Sequence, residues 1–366
     1  MSRVRGRVTA WAELLRISAL ATVPGDALAG AAAAGLRPNR STLLAIGSSL
    51  CLYEAGMALN DWADRAEDAV DRPGRPIPSG RVTPRAALAA SAALTAAGLG
   101  LAARAGRPTL ATATALAATV WSYDLHLKHT PAAPATMATA RALNVLLGTV
   151  ATSSGGAARP RAARATAAGP AGGGLPDPGH GRRPPAAALG SAALVGAHTY
   201  AVTAVSRHET QGGSTRTPLL ALATMLAVAA ATARTRTGPG EPNTGRGART
   251  PKPANPLSQP ASATGVTGRL AGAALAGTAS RNSAVVDRLV TAALAASYAR
   301  TPATPLLHAA LNPSPPLTQR SVGAGIRALI PLQATLAARS GAPGTALLVL
   351  GLAPLARALA RKVSPT

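Results

Sequence analysis

The 366-residue chain carries 37 Lys and Arg against 13 Asp and Glu, a formal net charge of +24, and is 47% hydrophobic with 2% aromatic residues and no Phe. So few aromatic anchors argue against an ordinary soluble core, and the apolar runs approach the roughly 20 residues that a helix needs to cross a membrane. The basic residues are nearly all Arg, scattered through Pro/Gly/Ala-rich connections without aromatic interleaving, so compositional bias accounts for the charge and no nucleic-acid partner is expected.

The first stretch, MSRVRGRVTAWAELLRISALATVPGDALAGA, imitates a signal peptide. Glu13 and Arg16 interrupt its apolar part and more apolar segments follow, so a first membrane helix with a basic cytoplasmic flank fits better. Apolar, helix-like segments are expected over 14–35, 41–59, 85–103, 108–123, 136–153, 186–206, 217–234, 322–339 and 343–360. Residues 284–311 form an ambiguous tenth, read as amphipathic and lying at the membrane interface. Strand formers are scarce. The expected class is an all-α, multi-pass protein of the cell membrane with about nine transmembrane helices. It is read as one domain over 1–366, with low-complexity Pro/Gly/Arg-rich loops at about 154–185 and 235–283. The single Cys51 leaves no intramolecular disulfide to form.

The second apolar segment runs into ALNDWADRAEDAVDRPGRPIPSGRV, residues 58–82, where Asp61, Asp64, Glu67, Asp68 and Asp71 fall within eleven positions. Continued as a helix, the segment places Glu54, Asp61, Asp64, Asp68 and Asp71 within an arc of roughly 100°, with Asn60 beside it and Glu67 pointing elsewhere. Carboxylates stacked on one face repel each other. A hard cation such as magnesium or calcium removes that penalty, and magnesium commonly joins carboxylates to a substrate phosphate. Arg72, Arg75 and Arg81 follow in a Pro/Gly-rich turn that cannot continue the helix, and Arg forks suit phosphate oxygens. The alternative is a solvated loop whose charges pair only with one another.

NDWADRAED, residues 60–68, reads N-D-x-x-D-x-x-x-D, and with RPGRPIPSGRV it resembles the first aspartate-rich signature of the UbiA superfamily of intramembrane prenyltransferases. The resemblance implies a helical bundle around a central cavity, with Asp61, Asp64 and Asp68 as Mg2+ ligands and catalytic residues. Asn60, Arg72 and Arg75 are then expected on a prenyl diphosphate. WSYDLHLKHT, residues 121–130, falls where the family places a tyrosine and a lysine. Lys128 would touch the diphosphate, Tyr123 would line the substrate site, and Asp124 would orient Lys128 or assist an acceptor. By itself, without the resemblance, Lys128 reads first as a snorkelling lysine at the membrane edge.

ARALNVLLG, residues 140–148, sets Arg141 and Asn144 one turn apart in an apolar segment, so they are assigned to the substrate pocket, with an interhelical hydrogen bond or snorkelling to the interface as the alternatives. The family's second aspartate-rich motif is reduced here to AHTYAVTAVSRHETQGG, residues 197–213, with Glu209 beside Arg207. Arg207 could replace part of the missing metal charge. This departure and the closing GAGIRALIPLQATLAARSG stretch resemble the EboC-like branch of the superfamily. The reading that follows is magnesium-dependent transfer of an isoprenoid to an aromatic or hydroxyl acceptor, with membrane lipids as the surroundings. Its alternatives are a non-catalytic membrane protein that carries an isoprenoid lipid and a soluble all-α isoprenoid synthase.

Overall fold

The structure, a computed structural model, describes residues 2–157, 185–210, 212–234, 264–354 and 358. Twelve α-helices follow one another among these residues: α1 (Ser2–Leu14), α2 (Val23–Ala33), α3 (Arg40–Ala63), α4 (Arg65–Asp71), α5 (Pro84–Ala105), α6 (Arg107–Ser122), α7 (Ala133–Ala157), α8 (Pro185–Ser206), α9 (Arg216–Ala233), α10 (Thr264–Leu311), α11 (Pro315–Arg339) and α12 (Pro343–Leu350). A 3-10 helix (Ile17–Thr22) precedes α2, and a π-helical turn (Tyr123–Leu127) extends α6. Five of the helices, α3, α5, α8, α9 and α11, are long and apolar enough to cross a membrane, so the chain folds as the all-α polytopic membrane protein expected.

Local chemistry explains where helices begin. Asn39 opens α3 with a capping box: its side chain accepts from the backbone N–H of Ser41 (2.9 Å) and Thr42 (3.1 Å), and its own N–H donates to Thr42 Oγ1 (2.9 Å). The same Asn39 amide donates to the Thr152 carbonyl at 3.0 Å, tying the start of α3 to the end of α7. Thr83 caps α5 with Pro84 following, and Gly106, at φ 130°, turns the chain directly from α5 into α6.

Few bulky side chains means that helices must approach closely to bury area. Helix α7 is gripped by α2, α6 and α8, while α11 lies against α2, α8, α10 and α12. At the α2–α7 crossing two glycines interlock. A Cβ on Gly30 would meet the Val145 carbonyl oxygen at 2.1 Å, and one on Gly148 would meet Ala27 backbone atoms at 2.3 Å. Small residues that admit such backbone contact are the usual packing device of membrane helices. Gly148→Ala is therefore expected to lower the stability of the detergent-solubilised protein by about 1–3 kcal/mol through overpacking. Gly190→Ala, which meets nothing within 4 Å, is the neutral control in the same unfolding titration.

Three expectations change. The first apolar segment is not one span, because the chain turns at Arg16, which has left-handed backbone (φ 47°), and α1 ends before it. Residues 284–311 do not lie alone at an interface. They form the second half of α10, packed along α11 with Tyr298 fully buried. The helix also begins at Thr264, inside the stretch read as a loop from 235. The rest of that loop, residues 158–184 of the other, and most of the segment beyond 354 lie outside the described residues.

Candidate functional site

The acidic run departs from a single helix at one residue. Asp64 adopts a non-helical turn (φ −85°, ψ 3°) between α3 and α4, which separates the carboxylates into two groups. Asp61 and Asp68, 4% and 5% exposed, converge on Arg75, whose Nη1 lies 3.3 Å from Asp61 Oδ1 and 2.7 Å from Asp68 Oδ2. Asp64 instead pairs with Lys128 and lies 3.9 Å from His129 Nε2. Glu67 joins this second group rather than pointing away: ligand atoms of Asp64, Glu67 and His129 lie within 4.8 Å of one another. Asp71 is exposed and belongs to neither.

Arg75 is aimed by the turn that follows α4. Ile77 and Val82 are buried against Ala10, Leu14, Ala58 and Ala87. Ser79 and Val82 donate their backbone N–H groups to Arg75 and Pro76 carbonyls at 3.0 and 2.9 Å, and Gly80 supplies the positive φ of 73°. Arg81 does not face the carboxylates. It clamps the turn through the Gly74 carbonyl (2.7 Å) and α1 through Glu13 (2.7 Å).

Lys128 and Asp124 owe their positions to the π turn, closed by Lys128 N–H donating to the Tyr123 carbonyl at 2.9 Å. The wider turn directs Asp124 inward, 4% exposed, while Leu125 and His126 face out. Asn60 Nδ2 donates to Asp124 Oδ1 at 3.2 Å. Lying past the end of α6, Asp124 has its carboxyl pushed up to about 7 by burial, against the opposing Asn60 hydrogen bond and the charge of Lys128.

Behind this charged rim is a cavity of about 220 Å³ between α3, α6 and α7. Leu52, Gly56, Met57, Leu116, Val120 and Met137 make its apolar wall, and Tyr53, Asn60, Tyr123, Asp124, Arg141 and Asn144 face it with polar groups. A more open space of about 410 Å³ forms the mouth, lined by Glu13, Arg16, Asp61, Arg72, Gly74, Arg75 and Pro76. Arg16 lines both spaces, and its Nη2 lies 3.5 Å from Asp61 Oδ1. The sequence marked Arg16 only as an interruption of an apolar run.

Arg141 and Asn144 do both things expected of them. They line the cavity and also hold a buried network around Asp26, which is 0% exposed. Arg141 Nε lies 2.8 Å from Asp26 Oδ2, Asn144 Nδ2 donates to the same oxygen at 2.8 Å, and Gln333 Nε2 donates to Oδ1 at 2.6 Å. Asp26 was not singled out from the sequence, although a lone carboxylate in an apolar segment is itself a signal.

The reduced second motif contributes less. Arg207 is exposed, donates to the Thr130 carbonyl at 2.7 Å, and lines neither space. Glu209 is half-buried beyond the end of α8, its carboxyl pushed up by burial with Arg72 and Arg16 opposing. Of the aromatic rings, Tyr53 and Tyr123 reach the cavity. Trp62 instead stacks under Arg65, Trp121 donates to Thr95 Oγ1 at 3.2 Å, and Tyr200 is exposed.

Residues 19–211 match the UbiA prenyltransferase family. Over 115 residues the chain is 38% identical to the digeranylgeranylglyceryl phosphate synthase of Methanopyrus kandleri, covering 31% of this chain and 41% of that protein. Over 95 residues it is 43% identical to the synthase of the same name from Natronomonas pharaonis, covering 26% and 33%. The matches thus span about a third to two fifths of the length of these curated relatives. A solved structure from work on digeranylgeranylglyceryl phosphate synthase in membranes aligns with a TM-score of 0.50 at 13% identity, over 94% of this chain and 100% of that one, a likeness of fold.

Proposed function

Because this chain belongs to the UbiA prenyltransferase family, we propose that it transfers an isoprenoid from a prenyl diphosphate to a hydroxyl-bearing lipid acceptor at the cell membrane. One observation carries the reading: a rim of paired acids and cations opens, through Arg16, onto an apolar cavity between helices. The relatives' name joins geranylgeranyl groups to a glyceryl phosphate, which favours a prenylated glyceryl phosphate hydroxyl over an aromatic ring as acceptor.

The donor set fits magnesium. Asp61 on the lining of the mouth, Asp68 beside it on Arg75, and Asp64 in a second group with Glu67 and His129 offer hard ligands. Asp61, Asp64 and Asp68 would hold the ion once Arg75 and Lys128 turn from them to the diphosphate. When bound, magnesium supplies charge compensation for the departing pyrophosphate. The chain's own groups do the rest. Arg75, shared between Asp61 and Asp68, can exchange a carboxylate for a phosphate oxygen with a small side-chain movement. Lys128, held by Asp64, and Arg72, on the lining of the mouth, would meet developing negative charge with cations. Leu52, Leu116, Val120 and Met137 keep water from the allylic carbon and its chain. Tyr53 and Tyr123 line the cavity and are the rings available to an allylic cation.

Membranes containing the protein, given magnesium, a panel of allylic diphosphates and a prenylated glyceryl phosphate, are expected to release pyrophosphate and form an ether-linked product seen by mass spectrometry. Diphosphates that bind and are recovered intact across the panel would instead identify a lipid carrier. The cavity wall adds a specificity test. A Cβ at Gly56 would lie 2.9 Å from Val120 Cγ1, so Gly56→Val narrows the space between α3 and α6. The variant is expected to lose about tenfold in kcat/KM for long prenyl diphosphates relative to short ones, read as a ratio within one enzyme preparation.

A further inference from the structure

We propose that Asp124 is the general base that takes the proton from the acceptor hydroxyl, an inference that rests on the transferase reading above. Among the residues lining the apolar cavity, Asp124 is the one carboxylate. The other buried acids are engaged: Asp61 and Asp68 by Arg75, and Asp26 by Arg141, Asn144 and Gln333. Half-buried Asp64 is held by Lys128. A carboxylate in an apolar cavity is costly unless a function requires it.

The orientation suits the role. Asn60 fixes Oδ1 at 3.2 Å, while Oδ2 makes no hydrogen bond among the described residues. Oδ2 lies 4.0 Å from where a Cβ on Gly56 would sit, so it faces the cavity floor that the missing side chain leaves open. The π turn creates this placement, and such turns recur at functional positions. The charged groups around Asp124 are Lys128, Asp64 and Arg16, and Arg141 lines the same cavity. With its affinity for protons raised by burial, the carboxylate has the basicity that proton transfer near neutral pH favours.

In the step itself, the acceptor oxygen forms a bond to the allylic C1 as the bond from C1 to the diphosphate oxygen breaks. The electron pair of the broken bond leaves on pyrophosphate, and the hydroxyl proton moves to Asp124 Oδ2. That proton then passes to water at the mouth when product leaves, restoring the carboxylate.

The test uses the full-length protein in membranes or detergent. Asp124→Asn is expected to form prenylated acceptor at least 100-fold more slowly and to bind a non-reactive prenyl thiodiphosphate within about twofold of wild type. Pyrophosphate release should persist in part, with the prenyl group recovered as alcohol because water replaces the acceptor. Asp124→Glu, which keeps a base but shifts it by one methylene, should recover at least a tenth of the transfer. Transfer by Asp124→Asn within tenfold of wild type overturns the proposal, as does loss of thiodiphosphate binding in step with loss of transfer. Should Asp124→Asn fail to fold, Asp124→Glu decides: a lowered kcat with unchanged analogue binding supports the role, and an unchanged kcat removes it. Wild-type protein that releases no pyrophosphate under any condition would defeat the transferase reading before this inference is reached.

Discussion

Asp64→Asn is expected to lower kcat/KM for prenyl transfer by about 10²–10³-fold, the usual cost of deleting one group that stabilises transition-state charge. The residue stands at the break between α3 and α4, paired to Lys128, 3.9 Å from His129 Nε2 and within reach of Glu67. On the proposed function, the substitution removes a hard oxygen from the magnesium ligands and also frees Lys128 from the Asp64 pairing that would hold it toward the diphosphate. A second symptom should accompany the lost rate: the magnesium concentration for half-maximal activity should rise. Asp71→Asn, on an exposed position of α4 outside both groups, should stay within about twofold. Pyrophosphate release measured across a magnesium titration checks both statements. Equal rates for Asp64→Asn and wild type would remove the metal assignment.

The largest effect on stability is expected at Arg141. Asp26 is fully buried, and Arg141 is its charged partner at 2.8 Å. Arg141→Met leaves that carboxylate without a counter-charge, a change that costs about 3–5 kcal/mol when a buried pair is broken from one side. Asn144 and Gln333 still donate to Asp26, which places the loss at the lower end of that range. The reverse substitution is milder, because Arg141 lines the cavity and keeps access to water there. Asp26→Asn combined with Arg141→Met should recover most of the lost stability, since neither partner then carries a charge. Unfolding of the single and double variants in one detergent measures the coupling directly. Additive losses would mean that the two charges stabilise the bundle independently.

How much of this was readable beforehand depended on sequence distance. The acids of residues 61–71 and the arginines after them are neighbours in sequence, so their concentration in one stretch was legible, but the single helical face expected for them is broken by the turn at Asp64. Lys128 and Asp124 were singled out by the resemblance of WSYDLHLKHT to the family's pattern, yet the π turn that directs Asp124 inward leaves no mark in the pattern of apolar residues. Glu67 was assigned away from the cluster because a continuous helix was assumed through Asp64, and the turn there brings it back. Residues 284–311 misled for a related reason. Their small and polar residues look interfacial alone, but α11 covers one side of that helix and buries Tyr298 where it meets His198 at 3.0 Å.

The chain by itself determined that it carries helices apolar enough to cross a membrane and that a concentrated acidic run followed by arginines ends the second apolar segment. Hydropathy and the density of charge along the chain act over a few turns and need no distant partner. Tertiary structure alone decided which carboxylates share Arg75, that Arg16 joins the mouth to the cavity, and that Asp26 is held by Arg141 from α7 and Gln333 from α11. The Asp26–Arg141 contact belongs to the α2–α7 pair, which Gly30 and Gly148 let touch backbone to backbone. Such contacts depend on how helices cross, which the order of residues along any one helix does not contain.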